Sequence, residues 1–234
     1  MMRHKDFFIL RFAKISRCRK LCLLVMPVLL FVASCSMLPV SDTPTTESYP
    51  GQVLFLDDFS DLGSGWKTWH DDDGSLIDYQ NGGLRFVVNK PESDYLSTQN
   101  IVFTNVQLEV EAIKINGPDD NQFGLICRYQ DSADYYAFVL TSDGYYGILK
   151  VVEGQYHLLS GESLHYSESI RQGMAINLIR ADCVGNTLTL YANDQEMVSV
   201  KDTEYNEGQV GLLVVAYESA GVDILFDQFK VIKP

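Results

Sequence analysis

The stretch VQLEVEA, residues 106–112, alternates strictly between apolar and polar side chains. A period of two places its four apolar residues on one face of a β-strand and its glutamine and two glutamates on the other. The stretch TLTL, residues 187–190, alternates in the same way. A strand with one apolar and one polar face is typical of an antiparallel sheet that covers a core on one side.

Short segments of this kind continue on both sides of residues 106–112. Turn-forming pairs such as Asp143-Gly144, Glu153-Gly154 and Asn193-Asp194 divide them roughly every ten residues. Pro91 and Pro118 fall between the segments, where proline does not interrupt a strand ladder. No helical period is found after residue 52. The pattern therefore predicts an all-β fold over residues 52–234, a two-sheet antiparallel β-sandwich.

The charge is distributed unevenly along the chain. The whole sequence has 31 Asp and Glu against 18 Lys and Arg, a net charge of −13. Residues 1–34 hold seven basic residues and one acidic residue, so residues 35–234 hold 11 basic and 30 acidic residues. A body this acidic repels a phosphate backbone, which excludes nucleic acid as a partner.

The basic N-terminal stretch ends at Lys20 and is followed by an apolar run over residues 21–33. A helix needs about 20 apolar residues to cross a bilayer, and this run of 13 is shorter. A basic region, a short apolar region and small residues after it are typical of a secretory signal. We therefore predict a signal peptide over residues 1–34.

The end of that run, Val32-Ala33-Ser34-Cys35, resembles the lipobox of bacterial lipoprotein precursors. The resemblance implies cleavage before Cys35 and a diacylglyceryl group on its thiol. Residues 35–51 are rich in Ser, Thr and Pro and would form a tether to the membrane. The implied location is extracytoplasmic, at the cell surface or in the periplasm. The alternative is an ordinary secretory signal with an incidental cysteine.

Several motifs, in their order, resemble concanavalin A-like, laminin-G-like jelly-roll domains. They are LDDFS (residues 56–60) with Gly65-Trp66, GNTLTLYAND (185–194), GQVGL (208–212) and FDQF (226–229). Asp194 stands where that superfamily usually has glycine. The resemblance implies a jelly roll in which the first and last strands are neighbours. The superfamily includes lectin-like proteins, glucanases and 3-keto-glycoside hydrolase-like domains, so the fold does not determine the function.

The glucanases of this superfamily carry Glu-x-Asp-x-x-Glu on one strand. The nearest sequence here is Glu109-Val110-Glu111, which is not followed by a third acid. A solvated strand face explains these two glutamates better than catalysis does. We therefore predict a protein that is not a glucanase, although a glycoside hydrolase with another acid pair remains an alternative.

Three consecutive strands suggest a ligand-binding face. If Tyr136 and Phe138 point to the core, Tyr135 of the same strand points outward. In the next strand, Leu149 and Val151 are expected to point inward, so Tyr146 and Lys150 point outward. The side chains expected on this outer face are Arg128, Gln130, Tyr135, Tyr146 and Lys150. Aromatic rings beside planar polar groups suit sugars, which have apolar faces and hydroxyl edges. Alternatively, loops cover this face and the tyrosines only fill it.

These observations predict a non-catalytic, membrane-anchored module that binds carbohydrate. The alternatives are a glycoside hydrolase-like enzyme on the same scaffold and an adhesive or structural lipoprotein that binds a surface protein. No organic cofactor is indicated. Asp57, Asp58 and Asp227 could converge where the first and last strands pair, either as ligands of a structural calcium ion or as caps of strand-end amides.

A disulfide between Cys127 and Cys183 follows by elimination. Cys18 and Cys22 would leave with the signal peptide and Cys35 would be lipidated, which leaves two thiols in an exported protein. Oxidising compartments favour pairing. The alternative is two separately buried thiols.

Overall fold

The computed structural model describes residues 49–234, and these residues form 16 β-strands in two antiparallel sheets. The strands are β1 Val53–Asp57, β2 Trp69–His70, β3 Leu76–Gln80, β4 Gly83–Val88, β5 Ser93–Phe103, β6 Val106–Asn116, β7 Asn121–Asp131, β8 Asp134–Leu140, β9 Tyr145–Val152, β10 Gln155–Leu158, β11 His165–Tyr166, β12 Ile176–Val184, β13 Thr187–Ala192, β14 Gln195–Lys201, β15 Gly208–Ala216 and β16 Val222–Ile232. The two-sheet antiparallel β-sandwich predicted from the alternation is therefore confirmed.

The first sheet has nine strands in the order β14-β13-β12-β6-β16-β4-β3-β2, with β1 added beside β16. Strands β1 and β16 pair antiparallel, so the first and last strands are neighbours, as the resemblance implied. The second sheet has seven strands in the order β10-β9-β8-β7-β15-β5, with β11 added beside β9. Strand β6 pairs with β16 in the first sheet, and β15 pairs with β5 in the second, although the members of each pair are far apart in the sequence. The sandwich therefore closes through long-range pairing.

The main core fills the space between the sheets. In β6 the burial alternates as the sequence predicted, with Val106, Leu108, Val110 and Ala112 almost fully buried. Side chains of β7, β8 and β15 meet them from the other sheet, among them Phe123, Leu125, Phe138 and Leu212. This dry interior is the main source of stability in such a fold.

The disulfide that elimination predicted is present. It joins Cys127 of β7 to Cys183 of β12, with the two Cα atoms 6.9 Å apart. Both cysteines are fully buried in the main core. The bond therefore connects the two sheets through the middle of the sandwich.

The motif around Asp57 forms the N-terminal corner. One carboxylate oxygen of Asp57 accepts from the amide of Phe59 and the other from Nε1 of Trp66, both at 2.8 Å. The ring of Trp66 packs edge-on against Phe229 of β16, 4.9 Å away. Asp57 therefore fixes the turn that brings the Gly65-Trp66 pair under the last strand.

The predictions for the N-terminal region concern residues that the structure describes only in part. The predicted signal peptide (1–34), the lipidated Cys35 and most of the tether (35–51) lie outside residues 49–234. Within those residues, no helix has the length and apolar character needed to cross a membrane.

Candidate functional site: the outer face of the seven-stranded sheet

A second group of apolar side chains covers the outer face of the seven-stranded sheet. Its fully buried members are Ile126, Tyr135, Ala137, Val139, Leu149, Val151 and Leu213. A sheet face that points away from the core is usually polar. This one is therefore unusual, and an apolar outer face is where a ligand or a covering segment is expected.

Three tyrosines stand on this apolar floor. Tyr135 of β8 is fully buried, and its ring lies 5.9 Å from that of Tyr129 of β7. The hydroxyl oxygens of Tyr135 and Tyr156 of β10 are 3.5 Å apart. Tyr129 and Tyr156 are only half-buried.

Asp94 of β5 completes the group from the opposite edge of the sheet. Burial raises the pKa of Asp94, while a hydrogen bond from Tyr156 opposes that rise. Burial and the nearby Asp94 carboxylate raise the pKa of Tyr156. We call Asp94, Tyr129, Tyr135 and Tyr156 the tyrosine face.

The electrostatic influence of Asp94 on Tyr156 indicates that the sheet is curved. Five strand-to-strand steps separate β10 from β5. On a flat sheet that distance would be about 24 Å, because neighbouring strands are roughly 4.8 Å apart. Two side chains cannot bridge it. An influence of Asp94 on Tyr156 across five strands therefore indicates a concave outer face.

Two loops reach onto the tyrosine face. Lys67, between β1 and β2, places Nζ 5.8 Å from the ring centroid of Tyr129, a cation–π contact. On the other flank, Leu164 packs over β9, where a Cβ on Gly147 would come within 2.6 Å of its side chain. A Cβ at position 147 would therefore crowd the side chains of the loop after β10.

The structure corrects the predicted ligand face. Of its five predicted members, only Tyr135 belongs to the tyrosine face. In the β8–β9 ladder Tyr136 is opposite Lys150 and Leu140 is opposite Tyr146. Opposite residues point to the same side, so Tyr146 and Lys150 face the core and the prediction had β9 reversed.

Lys150 instead makes an internal ion pair. Its Nζ is 2.7 Å from a carboxylate oxygen of Asp202, and the other oxygen of Asp202 accepts from the hydroxyl of Tyr136 at 2.5 Å. Burial raises the pKa of Asp202, but the hydrogen bonds from Lys150 and Tyr136 outweigh it and the pKa is lowered overall. This group fastens the end of β14 to the seven-stranded sheet.

Arg128 was also misplaced, because β7 contains a bulge there. Arg128 has a φ of 52°, and the pairing of β7 with β8 shifts between Cys127 and Asp131. The guanidinium turns inward and donates to the carbonyl oxygens of Tyr205 at 2.8 Å and Gly185 at 2.6 Å. Gln130 donates to the carbonyl oxygens of Arg128 and Glu207, which pins the bulge. The same shift turns Tyr129 outward.

The predicted convergence of Asp57, Asp58 and Asp227 on one cation is not found. Asp57 caps Phe59 and Trp66, Asp58 accepts from Ser60, and Asp227 accepts from the amide of Gln228. Among the described residues, no three His, Cys, Asp or Glu side chains are placed to hold a metal ion. Capping, the alternative considered for these carboxylates, is what the geometry shows.

Comparison with known proteins identifies the fold of this chain but no family. No protein-family model matches the sequence, and no curated protein matches it either. The structure is similar to carbohydrate-binding module CBM66 from Bacillus subtilis, with a TM-score of 0.59, 14% identity, and coverage of 73% of this chain and 96% of that one.

Two further solved structures share the fold. One is a Bacillus subtilis protein of unknown function with a galectin-like fold, with a TM-score of 0.59, 12% identity, and coverage of 79% of this chain and 97% of that one. The other is an endo-β-galactosidase from Clostridium perfringens, with a TM-score of 0.56, 11% identity, and coverage of 80% and 64%. At these identities the likeness establishes the jelly-roll sandwich and nothing finer.

Proposed function

We propose that the protein is a membrane-anchored, extracytoplasmic module that binds carbohydrate on the tyrosine face without cleaving it. The observation that carries this proposal is the pair of half-buried rings, Tyr129 and Tyr156, on an apolar concave floor. The apolar C–H face of a sugar ring stacks on such rings, and its hydroxyls need polar partners at the rim. Asp94 and Lys67 supply an acceptor and a donor there.

The comparisons support a glycan as the ligand class. One similar structure is a carbohydrate-binding module and another is an endo-acting glycosidase, as their names state. The membrane anchor is supported by the lipobox at Cys35 and the tether that follows it. A lipid on Cys35 would hold the module at the membrane while its sandwich recognises glycans outside the cytoplasm.

A glycoside hydrolase is the second candidate, since the endo-β-galactosidase has the same fold. Such enzymes act with two carboxyl groups about 5–10 Å apart, flanking the scissile bond. Of the four residues of the tyrosine face, Asp94 alone carries a carboxyl group, so a second carboxyl is missing from this set. The geometry thus supports binding better than a two-carboxylate reaction.

The test is to present the mature protein with a panel of polysaccharides and glycans. Retention on immobilised glycan and release of reducing sugar are measured on the same panel. Binding without release is expected. Release of reducing sugar would assign the hydrolase, and the absence of both binding and release would favour an adhesive protein with a protein ligand.

A further inference from the structure

An apolar groove lies at the end of the sandwich where the chain enters. Its apolar side chains include Leu54 of β1, Val102 and Phe103 of β5, and Val184 of β12, and its volume is about 500 Å³. Val102 is 60% exposed, and Leu54 and Val184 are each 39% exposed. We call this surface the end groove.

The chain enters the sandwich at the rim of the end groove. The amide of Gly51 donates to the carbonyl oxygen of Lys233 at 2.8 Å, and the amide of Lys233 donates to that of Gln52 at 2.9 Å. Lys233 itself lines the end groove. The 48 residues that precede the described part therefore join the domain beside this surface.

The charge of the end groove differs from that of the rest of the domain. Residues 35–234 hold 30 acidic and 11 basic residues, which repel an anionic lipid surface. Of the side chains of the described residues that line the end groove, that of Lys233 alone is charged. This end is thus suited by both charge and polarity to approach lipid headgroups.

We propose that the end groove contacts the bilayer surface, so that the domain lies against the membrane. The inference rests on the proposed anchor at Cys35. The 14 chain steps from Cys35 to Tyr49 span at most about 50 Å, which keeps the entry end within that distance of the lipid. Val102 and Leu54 then enter the interfacial layer, and the opposite end of β12 points away from the membrane.

The test uses the mature lipidated protein reconstituted in phosphatidylcholine–phosphatidylglycerol vesicles that contain dibrominated phosphatidylcholine, a quencher of tryptophan. Val102→Trp places a reporter in the end groove. Met174→Trp is the matched control, because Met174 is 77% exposed and lies just before the start of β12, whereas Val184 ends that strand. Quenching is measured relative to the wild type, whose two tryptophans are the background.

Quenching at least threefold greater in Val102→Trp than in Met174→Trp is the expected result. Equal quenching in the two variants, or none in either on vesicle-bound protein, overturns the inference. A blue-shifted but unquenched Val102→Trp signal also overturns it, because a second copy or another segment of the chain would then cover the groove. Protein that does not bind the vesicles at all would overturn the anchor as well. Glycan binding, measured separately, is unaffected by either outcome.

Discussion

The hydroxyl oxygens of Tyr135 and Tyr156 lie 3.5 Å apart on the outer face of the seven-stranded sheet, although the two residues come from different strands. Asp94, on the far edge of the same sheet, is close enough to Tyr156 for its carboxylate to raise the pKa of that tyrosine. One tyrosine thus links both edges of a concave surface.

Asp94→Asn should change the difference in stability between variant and wild type as pH changes. The variant should gain stability relative to wild type when the pH is raised from 4 to 7. Burial raises the folded-state pKa of Asp94 above the unfolded value of about 3.9. The stability that this carboxyl contributes is therefore present at low pH and lost as pH rises through the folded pKa. Thermal unfolding between pH 3.5 and 7.5 measures the difference.

The matched control for Asp94→Asn is Asp58→Asn. Hydrogen bonds from Ser60 lower the pKa of Asp58, so its contribution is present at neutral pH and lost as pH falls. The two variants should therefore shift stability in opposite directions as pH changes. Parallel pH profiles would contradict the assignment of Asp94 to a buried position.

Replacing both Cys127 and Cys183 with alanine should cost about 4 kcal/mol of unfolding free energy. The bond closes a loop of 56 residues, and the chain-entropy estimate for that length is about 4 kcal/mol. Urea unfolding measures the loss. Reductant should destabilise the wild type and leave the double variant unchanged. Two cysteines alkylated in unfolded, unreduced protein would show that the bond does not form.

Asp202→Asn should destabilise the protein by about 1–3 kcal/mol at pH 7, because Lys150 would lose its nearer anion and keep only the carboxylate of Glu204, 3.6 Å away. The folded-state pKa of Asp202 is lowered, so its contribution is present above the unfolded pKa and lost as pH falls through the folded one. The difference from wild type in urea unfolding should therefore shrink below about pH 3.8. An equal difference at pH 7 and pH 2.5 would contradict the ion pair.

Cys35→Ser should abolish the incorporation of a labelled fatty acid into the protein. The reason is that the lipobox places the acyl acceptor on this thiol. Cys22→Ser is the matched control, since Cys22 lies inside the predicted signal peptide and should leave labelling unchanged. Label retained in Cys35→Ser would show that the lipobox assignment is wrong.

The sequence predicted the sandwich well because its alternation is local. Residues 106–112 carry a polar and an apolar face, and burial in β6 follows them residue by residue. The pairing of Cys127 with Cys183 needed no geometry, since elimination left only two thiols. In both cases the information lay within one strand or in a simple count.

The faces of β9 could not be predicted in the same way. Both of its faces are apolar, because Ile148 packs into the main core and Leu149 into the outer group. A period of two then gives no sign of which face is inside. The bulge at Arg128 added a second error, since a positive φ at a non-glycine residue leaves no clear mark in the sequence.

The tyrosine face was missed because it depends on sheet order. Asp94 and Tyr156 belong to β5 and β10, the two ends of the strand order β10-β9-β8-β7-β15-β5. One local signal was available. The Glu153-Gly154 turn places Tyr156 opposite Val151, and Val151 is opposite Tyr135. Had Val151 been assigned to the outer face, Tyr156 and Val151 would both have been placed beside Tyr135.

The most direct test of carbohydrate binding on the tyrosine face compares Tyr156→Ala with Tyr191→Ala. Tyr191 is also half-buried, but it lies on the outer face of the nine-stranded sheet, where its ring stacks 4.5 Å from the guanidinium carbon of Arg180. The measurement is calorimetric titration of each variant with the glycan that the wild type binds best. We predict that Tyr156→Ala weakens binding at least about tenfold, or ~1.4 kcal/mol, while Tyr191→Ala stays within about twofold of wild type and both fold normally. Unchanged affinity in Tyr156→Ala, or an equal loss in Tyr191→Ala, would contradict the account.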